Sequence, residues 1–173
     1  MKGHFIGIQH IDVIAPTHWW EREMYHIWLD PIDPLVWIED GVAFKSEPCF
    51  NSDGGSEPHI LAIVPVFSKW RFQNSYGQHD FRYSHHYMMV DRGSGFRKEI
   101  CTKWESDRFL HDGVLAEDGC WLTADTIRGG VIIGGYLAWR KGNNPHQHQC
   151  KLHLAARVRR DTMARRIKSK ETL

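Results

Sequence analysis

Residues 83–108 hold the arrangement with the most chemistry in it. Within them, Arg92-Gly93-Ser94-Gly95 separates the short apolar run Tyr87 to Val90 from a segment where Phe96, Ile100 and Trp104 recur every four residues. The run has strand length, and the four-residue recurrence places three large side chains on one face of a helix. Strand, turn and amphipathic helix in that order can aim backbone N–H groups at an anion on the helix N-terminus.

A second group is His146, His148, Cys150 and His153. Positions 146, 148 and 150 share one face of a strand, and imidazole and thiolate ligate transition metals. The Asn143-Asn144-Pro145 lead-in is irregular and there is no Cys-x-x-Cys pair, so the expectation is that no structural metal is held there. His85-His86 is weaker, because neighbours on a strand point to opposite faces. Asp12, Glu21, Glu23, Glu39 and Asp40 offer carboxylates for general-base work, and nothing in the sequence singles one out.

The elements that would position these groups are read from periodicity and punctuation. Ile8 to Ala15 reads as a strand. Pro16-Thr17 opens a helix with Trp20, Met24, Ile27 and Trp28 as its apolar stripe, stopped by Asp30-Pro31-Ile32-Asp33-Pro34. Leu35 to Ile38 and Val42 to Phe44 read as strands joined at Glu39-Asp40-Gly41, since Asp-Gly suits a tight hairpin turn. Residues 48–58 read as a loop and His59 to Val66 as a central strand, while 68–82 favour no regular element. After the turn at 92–95 and its helix to about Arg108 come a loop at 111–118 and a strand from Cys120 to Ala124. Residues 127–141 contain two Gly pairs, which leaves helix and hairpin as competing readings. Cys150, Leu152 and Leu154 alternate with polar residues as a last strand, and the tail from Ala155 looks helical. The expectation is a single α/β or α+β domain over 1–155, with a mixed, mostly antiparallel sheet flanked by helices, and a basic tail over 156–173.

Composition limits the function classes. The chain has 173 residues, 42% of them hydrophobic, which is enough to bury a core. Its 8 Trp and 8 Phe favour packing over disorder. No apolar run reaches the roughly 18–20 residues of a membrane span, and the N-terminus lacks a signal-peptide pattern. The 4 Cys are far apart and read as reduced thiols in a cytoplasmic protein. The total charge of +1 hides an asymmetry: residues 151–173 hold eight Lys/Arg against Asp161 and Glu171, so the rest of the chain is acidic. Such a tail suits an acidic surface on a neighbouring subunit or assembly partner, with nucleic acid as the less favoured partner.

The stretch from Val90 to Arg97 resembles the acyl-coenzyme A-binding turn of the GCN5-related N-acetyltransferases, in which a strand, an Arg/Gln-x-x-Gly-x-Gly/Ala loop and a helix come one after another. Arg92 and Gly95 match that loop, with Gly93 at the place of the common Arg-Gly-x-Gly form, while Arg97 stands where the family has a small residue. The order of elements is also similar. The resemblance implies acetyl transfer from acetyl-CoA to a small-molecule or protein amine. It implies that the N–H groups around Gly93, Gly95 and Phe96 hold the pyrophosphate, that Val90 pairs with the pantetheine arm, that Arg92 lies beside the phosphates and that Tyr136 is the general acid. The competing reading is a non-enzymatic structural or interaction protein, such as a viral or phage component, using the same fold as a scaffold.

Overall fold

The computed structural model describes residues 3–14, 24–52 and 71–141. The His146–His153 group, the expected strand at 59–66 and the basic tail lie outside the described residues. The class is mixed α+β, as expected. Antiparallel hairpins account for most of the strands. Asp40 and Gly41 adopt left-handed φ values of 50° and 79°, which is the turn that Asp-Gly favours. It joins β4 (Val36–Glu39) to β5 (Val42–Lys45). Among the described residues a five-stranded sheet runs β1 (Gly3–Ile6), β4, β5, β7 (Tyr87–Asp91), β8 (Arg97–Ile100). A three-stranded sheet runs β2 (Gln9–Ile14), β3 (Met24–Leu29), β6 (Cys49–Ser52). All pairings within both sheets are antiparallel.

The expected helix through Met24, Ile27 and Trp28 is instead strand β3. Every side chain from Tyr25 to Leu29 is buried, between β2 on one edge and β6 on the other. A strand apolar on both faces mimics a helical stripe, because a continuous apolar run satisfies either period. The helix expected directly after Gly95 is also displaced. The Asp91 carboxylate accepts hydrogen bonds from Gly93 N (2.7 Å) and Gly95 N (2.9 Å). Both glycines take left-handed φ values, 96° and 90°, and turn the chain back as β8. The helix starts later, as α2 (Lys103–Ala116). There Thr102 Oγ1 accepts from Glu105 N at 3.2 Å and Glu105 Oε2 accepts from Thr102 N at 2.7 Å, a reciprocal capping box.

The expected loop at 48–58 begins instead as strand β6, and the expectations that follow resolve toward helix. Residues 73–85 form α1 (Gln73–His85), and α2 fills much of the expected loop at 111–118. The expected strand at Cys120–Ala124 is the first turn of α3 (Trp121–Gly134), and α4 (Tyr136–Lys141) comes after one residue. None of these helices is long and apolar enough to cross a membrane.

Two apolar clusters meet at α1. On one side Phe81 packs with Tyr25, Ile27, Phe50, Tyr87, Met88 and Val90 of the two sheets. On the other, Phe72 and Tyr76 pack with Leu110, Val114, Ala124 and Ile127 of α2 and α3. Two contacts set the spacing of α1 on α2. Gly113 lies so close to Ser75 that an added Cβ would sit 2.6 Å from the Ser75 hydroxyl. Glu117, just past the end of α2, accepts from Asn74 N (3.1 Å) and Ser75 N (2.9 Å) and also from the Ser75 hydroxyl. It thereby caps an α1 N-terminus whose own N-cap, Phe72, has no side chain that can do so. Burial raises the Glu117 carboxyl even though these donors favour its anion.

Candidate active site at the α1–α2 seam

Halfway along this seam the two helices bring five ionisable side chains together. His79 and Tyr83 stand one turn apart on α1, and Lys103 and Asp107 one turn apart on α2, so each pair shares a face. The seam puts the two faces opposite each other. His79 Nε2 lies 3.6 Å from Asp107 Oδ1, and His79 Nδ1 lies 3.6 Å from Asp80 Oδ1. At that separation these are ion-pair contacts rather than hydrogen bonds. The Asp107 carboxylate is itself held in place. Tyr83 OH donates to Oδ1, and Lys103 Nζ donates to Oδ2 at 2.7 Å and to the Val131 carbonyl of α3 at 3.0 Å. Ser52 Oγ of β6 donates to Asp80 Oδ2. Two helices, the neighbouring helix α3 and one strand of the smaller sheet therefore converge on one imidazole.

Burial and charge oppose each other here, and charge prevails. The His79 side chain is 5% exposed. Burial alone would lower its basicity, but Asp107 and Asp80 outweigh the loss of water and hold it above its ordinary value. Burial would raise the Asp107 carboxyl, yet His79, Lys103 and Tyr83 keep it below its ordinary value. The Tyr83 hydroxyl is pushed up by burial and by the Asp107 anion that accepts its proton, so it stays a donor. The result is a basic imidazole backed by a fixed carboxylate and shielded from bulk water, conditions that strengthen the attraction between them. This arrangement can accept a proton from a reactant and return it.

Elsewhere on α1, Arg82 lies over the Phe109 ring of α2 at 3.7 Å and 5.9 Å from the Phe44 ring of β5. Among the described residues its Nε has no hydrogen-bond partner, and burial draws its pKa down to about 10.

The residues singled out in the sequence are distributed differently. Val90 is buried in β7, paired with Phe44 and Arg97 across the sheet. Arg92 is exposed and makes an ion pair with Glu99 at 3.0 Å. Gly93 and Gly95 give their amides to Asp91, and Phe96 has the Lys45 ammonium 4.0 Å above its ring. Tyr136 is exposed on α4, beneath Arg140. His85 Nδ1 donates to the Phe81 carbonyl at 3.0 Å. His86 Nε2 donates to the Trp139 carbonyl at 2.8 Å while its ring stacks on that indole. Of the carboxylates the sequence offered, Asp12 is in β2 opposite His26, Glu39 lies 3.6 Å from Arg108 and Asp40 forms the hairpin turn. Glu21 and Glu23 lie outside the described residues. Cys49 is disulfide-bonded, which corrects the expectation of four reduced thiols, whereas Cys101 and Cys120 are free.

Sequence reasoning passed over His79, Asp80, Tyr83, Lys103 and Asp107. A signal existed in the two four-residue spacings, His79 to Tyr83 and Lys103 to Asp107. It is usable only once both stretches are known to be helical, and α1 is polar enough to hide its period. No protein-family model matches this chain, and no curated protein or solved structure matches it either.

Proposed function

We propose that the protein is a hydrolase of ester-type substrates in which His79 is the general base. The observation that carries this reading is the buried imidazole held between Asp107 and Asp80, with Asp107 fixed by Tyr83 and Lys103. Asp107, beside Nε2, stabilises the cationic form of the ring, and a water that takes the place of the Asp80 carboxylate beside Nδ1 gives that nitrogen a proton as the water oxygen attacks the substrate carbonyl. The tetrahedral intermediate then collapses, and the proton on Nδ1 passes to the departing alkoxide. No serine or cysteine hydroxyl or thiol is needed as nucleophile, because water supplies the oxygen that ends in the acid product. A carboxylate-backed histidine raises such rates by about 10²–10⁴-fold.

Acetyl transfer from acetyl-CoA would use the same base with an amine in place of water. It also needs open amides at the 92–96 turn, and Asp91 accepts from two of them. Water is therefore the acceptor favoured here.

Hydrolysis of p-nitrophenyl esters from acetate to laurate tests the reading. The expected result is turnover whose kcat/KM rises with pH through a single inflection above 6.5, the ordinary histidine value. His79→Asn is expected to lower kcat at least a hundredfold, and Tyr83→Phe to shift the inflection. Absence of turnover on every ester, or a His79→Asn variant as active as wild type, would leave a structural charge cluster and favour the scaffold reading. Consumption of the acetyl-CoA thioester only when an amine is added would restore the transferase.

A further inference from the structure

The outward face of α3 and α4 is apolar and, among the described residues, uncovered. Helix α3 buries Thr123, Ala124 and Ile127 against the body. On the opposite side, Ile133 is 87% and Leu137 70% exposed, with Leu122 and Tyr136 also largely in solvent. The two helices run nearly in line, because Gly135 between them keeps right-handed helical φ and ψ. Gly135 N donates to the Val131 carbonyl at 2.8 Å, and Trp139 N donates to the Gly135 carbonyl at 2.9 Å. Leu122, Thr126, Gly129, Ile133, Leu137 and Arg140 therefore succeed one another at spacings of three and four along a single stripe.

We propose that this stripe is the interface of a symmetric homodimer in which α3 and α4 of two copies pack antiparallel about Ile133. The stripe is complementary to itself. Tyr136 and Leu137 stand three and four residues after Ile133, and Gly130 and Gly129 stand three and four before it. Antiparallel pairing about Ile133 sets equal and opposite offsets against each other, so each bulky pair meets the partner's glycines. Those glycines can receive it, since a Cβ added at Gly129 or Gly130 would find no atom within 4 Å. Charge matches to within one position. Arg140, seven residues past the centre, falls opposite Thr126, one position from Asp125, whose side chain is 53% exposed and lies 3.2 Å from His111 Nε2. A two-fold axis brings each arginine to the partner's acidic end, as an isologous contact requires. Isolated exposed apolar residues need no explanation, but a contiguous stripe with its own matching holes does.

Light scattering on the full chain across the micromolar range reads the result directly. The expected mass is twice the chain's 20.2 kDa, falling to the single-chain value for Ile133→Asp. Gly129→Leu is the sharper variant. It fills a hole in the interface yet improves helix propensity, so it should abolish the dimer while leaving the monomer's thermal midpoint unchanged or higher. In a Cys120→Ser background, Ile133→Cys should cross-link to its own copy on mild oxidation, and Leu122→Cys should not. A wild-type monomer at every concentration overturns the proposal, as does a dimer that survives both Ile133→Asp and Gly129→Leu. A wild-type monomer that floats with phosphatidylcholine vesicles and loses that property in Ile133→Asp would also overturn it and assign the stripe to a lipid surface.

Discussion

Among the described residues, two histidines lie between two carboxylates each, and they differ chiefly in burial. His79 sits in the α1–α2 seam between Asp80 and Asp107, with side chains that are 5%, 12% and 3% exposed respectively. His111 sits on the rim of the α2–α3 contact, with Asp112 at 2.9 Å and Asp125 at 3.2 Å, and Asp125 is 53% exposed. The distances at His111 are the shorter ones, so distance alone would rank it first. Water reverses the ranking. An exposed pair is weakened by high dielectric and by salt, whereas a buried one has no solvent to fall back on if a partner is lost. The His79 site also has further supports, since Tyr83 and Lys103 fix Asp107. Polar neighbours become a site when the surrounding packing removes the alternative of hydration.

The largest effect expected from this contrast is at Asp107. Asp107→Asn leaves the Lys103 ammonium and the His79 imidazole without their shared anion in a buried seam, and should cost about 3–5 kcal/mol in urea unfolding. A cost under about 1 kcal/mol would place the seam in the same class as a surface pair.

The pH dependence sharpens the comparison next. His79 is raised on folding, so the stability it contributes is full below 6.5, its ordinary value, and is lost as pH rises through its folded pKa. Asp107 is lowered on folding, so its contribution is full above 3.8 and is lost as pH falls through its folded pKa. Thermal midpoints should therefore be flat with respect to both groups between those values. His79→Gln should flatten the alkaline limb and Asp107→Asn the acid one. An alkaline limb that persists unchanged in His79→Gln would show that another group carries it.

The smallest effect belongs to Asp125. Asp125→Asn is expected to change unfolding free energy by less than about 1 kcal/mol, and the difference should shrink further in 1 M salt, where the screening length falls to about 3 Å. A loss that is large and independent of salt would make the α2–α3 rim as structural as the seam.

Local signals in the sequence are reliable where the physics is local. The Asp40-Gly41 turn, the strand at Tyr87 and the mixed α+β class rest on turn chemistry and short-range pattern, and the structure contains all three. The Thr102-x-x-Glu105 capping box is an equally local mark of where α2 begins. Arg92–Gly95 is legible as a turn, but the element after it is not, because a glycine-rich turn can lead into a helix or a hairpin. The Asp91 carboxylate selects the hairpin by accepting from two of the turn's amides.

Non-local physics decided the rest. Composition and chain order determined that the protein would build a core around its aromatic residues, with short strands and at least one amphipathic helix. Only the tertiary structure decided that Met24–Leu29 is a strand, since its apolar run fits either period and burial on both faces settled the matter. Only the tertiary structure brought His79 to Asp107 across the intervening β7 and β8, through a Gly113 that admits Ser75 and a Glu117 that caps the opposite helix. A carboxylate and an imidazole in sequence are two solvated groups; their chemistry depends on the distance between them and on how much water remains, and both are properties of packing.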